Sequence, residues 1–265
     1  LWLRLLSSIQ IEGWQVIIST SNINNEDSIE LQNIGILIAK RLNLGLCLGS
    51  YKDLSLLFSN DYISRLDLHS LVLCNDSTLP IANEDKIIQQ LRSLTDQYEN
   101  FSRPTLASLT DSSERGSYHL QSYFLYANRL SMKNPFWQKF WLNFNIFQSK
   151  DCLIDEGEIG LSQKAISNGF YLYAAYPIIK GLIEDIAMSK ELKQLGLLKP
   201  GEVNQSLFAW KSLLERGCPL VKKQVIFDLD HFNNEILPIT SIDKYLPVQL
   251  KESFMKDVSE IFISR

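Results

Sequence analysis

Residues 70–80 read SLVLCNDSTLP: an apolar run, Leu71 to Cys74, stops against Asn75-Asp76-Ser77 and then Pro80. The run has the composition of a buried strand. In an open α/β sheet ligands bind beyond the carboxyl ends of the strands, so polar groups directly behind such a strand are where chemistry is expected. One carboxylate beside an amide and a hydroxyl suits Mg²⁺, which keeps several waters and is usually held by one or two carboxylates plus substrate phosphates. Asp76 is then the candidate ligand. The plainer reading is a turn, because Asn, Asp, Ser and Pro are all turn formers.

Around this stretch, apolar β-branched runs alternate with longer segments of helical period, the pattern of an α/β sheet with covering helices. Residues 1–10 read as a helix already in progress, 13–20 as a strand, 21–29 as a polar loop and 34–39 as a second strand. A glycine-marked loop, Asn43 to Ser50, leads into a helix near Tyr51 to Phe58. Asn83 to Tyr98 is a helix with Ile87, Ile88, Leu91 and Leu94 on its buried side. Residues 105–109 and 119–126 read as strands flanking the turn-rich Asp111 to Tyr118. Helices follow at Phe136 to Phe147 and Gly157 to Asn168, the second closed by Gly169, and then a strand at Tyr171 to Ala175. Beyond Gly181 the pattern weakens into short helices near 182–195 and 205–215. The expected division is a core over 1–180 and a helical, irregular extension over 181–265 packed on the same domain.

At 265 residues the chain is long enough for one large α/β domain with a sizeable core. A net charge of -4 leaves no basic footprint for a phosphate polymer, so nucleic acid is not an expected partner. The four cysteines, Cys47, Cys74, Cys152 and Cys218, form no CxxC pair, which fits a reducing cytoplasm rather than a zinc knuckle or disulfide framework. Lys40 and Arg41 interrupt the longest apolar candidate, well short of the roughly 18 residues a spanning helix needs. Contact with a membrane surface stays open. The start at Leu1-Trp2-Leu3 implies a missing preceding strand and a longer parent polypeptide.

Two further stretches carry candidate chemistry. In Asp155-Glu156-Gly157-Glu158-Ile159-Gly160-Leu161-Ser162, acids in a first helical turn commonly only complement the helix dipole. Glu158 differs, since burial of the Ile159, Leu161 and Ala165 side leaves it able to project into a cleft as a general base. In His119-Leu120-Gln121-Ser122-Tyr123, strand alternation puts His119, Gln121 and Tyr123 on one face, where they suit a sugar or phosphate pocket; a satisfied structural histidine is the plainer alternative. The aromatic row Phe136, Trp137, Phe140, Trp141 and Phe144 reads as core, with a membrane-facing or lipid-acceptor patch as the minor reading. Asp228-Leu229-Asp230 after Val225-Ile226-Phe227 mimics the start of a haloacid dehalogenase-type phosphatase, but too few residues follow to build that fold.

Several stretches in order carry a resemblance: Arg41 to Lys52 with Asn43, Gly45 and Gly49; Leu71 to Ser77 with Pro80; Leu109 to Ser112; and His119 to Phe124. Phe136 to Trp141, Glu158 to Ser162, Gly169-Phe170 and Asn204 to Lys222 continue it. Together they resemble the rhamnan synthesis protein F family, bacterial glycosyltransferase-like proteins of cell-surface polysaccharide assembly. The resemblance implies a GT-A-like (Rossmann-like) fold with a mixed, mainly parallel sheet, here without its first strand. It implies a nucleotide-sugar donor, such as dTDP-rhamnose, and a glycan or lipid-linked glycan acceptor, handled at the cytoplasmic face of the plasma membrane. Asn75, Asp76, Ser77, Arg41, Asn43, Gly45 and Lys52 would bind the donor, Asp76 would hold Mg²⁺ or Mn²⁺, and Glu158 would be the base. Related sequences usually carry Asp where this chain has Cys47, and a thiol does not replace two acceptor oxygens. The competing expectation is therefore a degenerate domain that binds nucleotide or glycan without turnover.

Overall fold

A computed structural model describes residues 2–58, 68–81, 84–147, 149–180 and 203–227, with positions 190, 193, 194 and 196. The elements in chain order are α1 (Trp2–Ile11), β1 (Ile17–Thr20), α2 (Asn25–Asn33), β2 (Leu37–Lys40), α3 (Leu46–Leu57), β3 (Ser70–Cys74) and β4 (Thr78–Pro80). Then come α4 (Glu84–Tyr98), β5 (Thr105–Ser112), β6 (His119–Leu120), β7 (Phe124–Asn128), α5 (Arg129–Lys133) and α6 (Pro135–Asn143). The series ends with α7 (Lys150–Leu153), a π-helical segment (Ile154–Ile159), α8 (Gly160–Ser167), β8 (Tyr171–Tyr176), α9 (Gln205–Phe208), α10 (Trp210–Glu215), β9 (Leu220–Lys222) and α11 (Lys223–Phe227).

β5 is buried at every position and forms the middle of a five-stranded sheet. Its polar side chains are satisfied internally: Ser108 Oγ donates to the Gln121 carbonyl at 2.8 Å and Thr110 Oγ1 to Gln121 Oε1 at 2.7 Å. β8 pairs with β5 in parallel, whereas β7 lies between β3 and β5 and runs antiparallel to both. The sheet is thus mixed, not mainly parallel as expected. The reason is local: β6 and β7 return beside β5 through the short turn at 113–118, and a parallel neighbour would need a crossover of a dozen residues or more.

Strand alternation sends side chains to two cores. Leu106 and Leu125 face α3, α6 and α8 through Tyr51, Trp141 and Leu161, while Ala107, Phe124 and Tyr126 face α1 and α4 through Leu5, Leu91 and Leu94. Helices therefore cover both faces. Because β3, β5 and β8 point the same way, Asn75, Ser112 and Pro177 share one rim with residues 121–123, which precede β7.

Several boundaries differ from expectation. α2 occupies part of the segment read as a polar loop; Asn24 caps it, accepting from Asp27 N at 2.7 Å, and only Leu31 is buried, so apolar periodicity was absent. The strand expected over 119–126 breaks at 121–123 into β6 and β7, and α3 starts within the glycine-marked loop. There Gly45 adopts φ +72°, and a Cβ on Gly49 would stand 2.0 Å from the Leu44 carbonyl oxygen, a contact only glycine allows. Residues 203–227 pack on the core, with β9 pairing antiparallel with β4. Most of 182–195 and all of Asp228-Leu229-Asp230 lie outside the described residues. Among the described residues no helix is long and apolar enough to cross a membrane.

Candidate functional site

The rim is organised by the bend at 121–123. Asn75 N donates to the Tyr123 carbonyl at 3.2 Å, Tyr51 from α3 donates to the Ser122 carbonyl at 2.8 Å, and Ser122 N donates to Glu158 Oε1 at 2.5 Å. Glu158 and the Asn75 turn are therefore neighbours, brought together from positions far apart in the chain. Glu158 sits in the π-helical segment, an irregularity that recurs at functional sites because it re-aims a side chain out of helical register. That segment approaches α3 closely through Gly157, where a Cβ would lie 2.5 Å from Leu48 Cδ1 and 3.0 Å from the Phe144 ring.

Asn75 Oδ1 accepts from Ser77 N at 3.0 Å, so the triplet is indeed a turn, and the turn lies on the rim. The Asp76 side chain is 93% exposed and lies 3.6 Å from Lys223 Nζ. Among the described residues no group of three His, Cys, Asp or Glu side chains is placed to hold a metal ion.

Cys47 completes the inner side. Burial and then the Glu158 carboxylate push its thiol up, against smaller opposing effects of a hydrogen bond with the Asn75 side chain and the charge of Lys222. It stays a neutral thiol at neutral pH, not a nucleophile. Tyr51 is likewise pushed well up, chiefly by burial. Lys222, at the end of β9, was not singled out in the sequence. Its Nζ lies 5.2 Å from the centre of the Tyr123 ring, and burial lowers its pKa while Glu158 and Cys47 pull the other way. Only the pairing of β9 with β4, register Thr78↔Lys222, brings it to the turn; a lysine in Leu220-Val221-Lys222 carries no such signal by itself.

A family model for rhamnan synthesis protein F matches residues 15–260. The chain belongs to the rhamnan synthesis protein F family. No curated protein and no solved structure matches it. Family membership sets the broad process as polysaccharide biosynthesis, and the rim is where this rhamnan synthesis protein F chain assembles its ionisable groups.

The remaining candidates fall into two groups. Arg41 donates to Asp53 Oδ2 and to the Leu44 carbonyl, both at 2.8 Å, and Lys52 donates to the Phe144 carbonyl at 2.6 Å, so both hold the 41–52 and 142–144 backbone in place. Gly45 supplies the left-handed residue before α3, and Asn43 is exposed on the same loop. Tyr123 and Gln121 meet at Thr110 Oγ1, each 2.7 Å away, but His119 turns to the Ser117 carbonyl at 2.8 Å. All three are buried. Asp155 and Asp151 pair with Arg115 at 2.8 and 2.5 Å, and Glu156 with Lys164 at 3.7 Å, so these acids belong to the surface.

Gln121 continues inward to a polar network that docks residues 203–227. Its Nε2 donates to Asn204 Oδ1 at 2.8 Å, Asn204 Nδ2 donates to Glu114 Oε2 at 2.9 Å, and Asp111 Oδ1 accepts from Ile178 N at 2.7 Å and Gln205 Nε2 at 2.9 Å. Burial raises the Asp111 carboxyl, with its hydrogen bonds only partly compensating. A carboxyl raised on folding gives stability that is complete below its unfolded value, about 3.9, and is lost as pH rises through the folded value. Asp111→Asn keeps Oδ1 as acceptor and removes the charge. Chemical denaturation between pH 4 and 7 should show the wild type losing stability relative to the Asn variant as pH rises; parallel profiles would contradict this account.

Proposed function

We propose that the chain is a glycosyltransferase with a GT-A-like fold, moving a sugar from a nucleoside-diphosphate donor to a hydroxyl of a growing cell-surface polysaccharide, with inversion. The observation carrying this reading is the adjacency, on one rim of the sheet, of the Asn75-Asp76-Ser77 turn and the Glu158 carboxylate held by Ser122 N. Rhamnose, for example from dTDP-rhamnose, follows from the family's name, and a glycan or lipid-linked glycan is the matching acceptor.

In this reading the acceptor hydroxyl approaches Glu158 with its proton directed at Oε2, since Oε1 is occupied by Ser122 N. The acceptor oxygen forms its bond to the anomeric carbon as the bond from that carbon to the diphosphate oxygen breaks. The bonding pair leaves with the diphosphate and the proton passes to Glu158. The residues offer a divalent metal one carboxylate, Asp76, exposed and opposed by Lys223. That fits an ion held mainly by substrate phosphates, as Mg²⁺ often is; such an ion would supply charge neutralisation.

The test is nucleoside diphosphate release from a panel of nucleotide-sugars, with and without a glycan acceptor. Acceptor-stimulated release is expected. Asp76→Asn should lower the rate about tenfold or more, the worth of one charged contact, and blunt its response to Mg²⁺ or Mn²⁺. A wild-type rate indifferent to chelator removes the metal. The second reading, binding without turnover, rests on the protonated thiol of Cys47 beside Glu158; donor binding by calorimetry with no release from any donor would favour it.

A further inference from the structure

We propose that Lys222 is the fixed cation that receives the diphosphate of the donor, on the same rim as Glu158. The inference rests on the glycosyltransferase reading for the identity of the anion, but its observations are separate. β9 is held beside the Asn75 turn by pairing Lys222 with Thr78 and by Lys223 N donating to the Ser77 carbonyl at 2.8 Å, so the position of the Lys222 backbone is set by the turn itself. The next residue, Lys223, goes to Asp76 on the exposed side. Lys222 instead extends over the Tyr123 ring, whose hydroxyl is 2.7 Å from Thr110 Oγ1. An ammonium over a ring face is attracted by the ring quadrupole and loses none of its donors to it.

Lys222 is half-buried, and no described carboxylate lies within ion-pair distance of it. The ionisable groups acting on it are Glu158, Cys47, Glu114 and Lys150. Cys47 is neutral as a thiol and Glu114 is engaged with Asn204 Nδ2. Glu158 is held by Ser122 N and Lys222 lies over the ring of the adjacent Tyr123, so a base and a cation stand on the same rim with no ion pair between them among the described residues. Inverting transfer uses such a pair, with the base on the acceptor side of the anomeric carbon and positive charge at the departing oxygen on the other. Burial destabilises an ammonium that has no carboxylate partner among the described residues, as the lowered pKa of Lys222 reflects. An incoming diphosphate relieves that penalty, and the exposed Lys150 adds like charge near the same spot. The chemistry selected is a di-anionic or more highly charged phosphate group, held by charge-assisted hydrogen bonds.

The probe is inorganic pyrophosphate, titrated calorimetrically into the full chain without added metal. Lys222→Met should weaken its binding about ten- to a hundredfold, the range of a charge-assisted hydrogen bond. Lys222→Arg should restore most of it. Lys164→Met, which removes the same charge from the exposed face of α8, should bind as the wild type does. Cyanate labelling of the wild type followed by mass spectrometry gives a readout independent of any variant's folding: saturating pyrophosphate should protect Lys222 and leave Lys164 reactive. Equal binding by wild type and a folded Lys222→Met, no binding by the wild type, or unprotected Lys222 would each overturn the proposal. Lys222-dependent binding without sugar release from any donor would instead leave this site standing and remove the glycosyltransferase reading.

Discussion

Glu158→Gln is expected to lower acceptor-dependent sugar transfer by about 10²–10⁴-fold, the usual contribution of a positioned general base. The substitution is nearly isosteric. Its amide oxygen still accepts from Ser122 N, so the bend at 121–123, and with it the anchoring of Asn75 on the Tyr123 carbonyl, stays in place. What changes is Oε2, where an amide nitrogen that cannot take a proton replaces a carboxylate oxygen. The loss should therefore fall on kcat, with donor dissociation constant and melting temperature close to the wild type. Full turnover by Glu158→Gln would take the residue out of the base role; a large rise in KM with unchanged kcat would make it a binding group.

Local pattern made some of this geometry legible and left other parts out of reach. The strand before Asn75, the helix with Ile87, Leu91 and Leu94 inward, and the α8 end at Gly169 with φ +78° all announce themselves through period or turn chemistry within a few residues. α2 did not, because a helix with one buried side chain has no apolar stripe to read. The antiparallel insertion of β7 was hidden for a different reason: sequence marks strands, whereas their direction depends on where a connection leads. The site divides the same way. Glu158 could be picked from its place near a helix start, and its neighbour Asn75 from its place after a strand. Lys222 and Cys47 reach them only through the β4–β9 pairing and the packing of α3, contacts that join distant segments. Gln121 and Tyr123 did share a locality, but a buried one, where hydrogen bonds to Thr110 anchor the rim from behind.

Trp141→Ala is expected to cost about 3–5 kcal/mol of folding stability, the range for deleting a fully buried large aromatic side chain. Trp141 is fully buried and lies edge-on to Trp137, Phe140 and Phe144, with centroids 5.6, 5.0 and 5.8 Å away, so its removal opens a cavity among groups that cannot all collapse inward. Against a typical domain stability of about 5–15 kcal/mol, that is a loss the midpoint of a urea titration will register clearly. Leu142, the next residue, is 58% exposed and its replacement by Ala should shift stability by no more than about 0.5 kcal/mol. The contrast separates the two readings of the aromatic row. A membrane-facing row would lose vesicle binding on Trp141→Ala and keep its urea midpoint, whereas a core row loses the midpoint. The consequence extends to the rim, since Phe144 packs on Gly157 beside Glu158. A variant that remains folded at low temperature should therefore show looser retention of the carboxylate and a reduced kcat before it shows global unfolding.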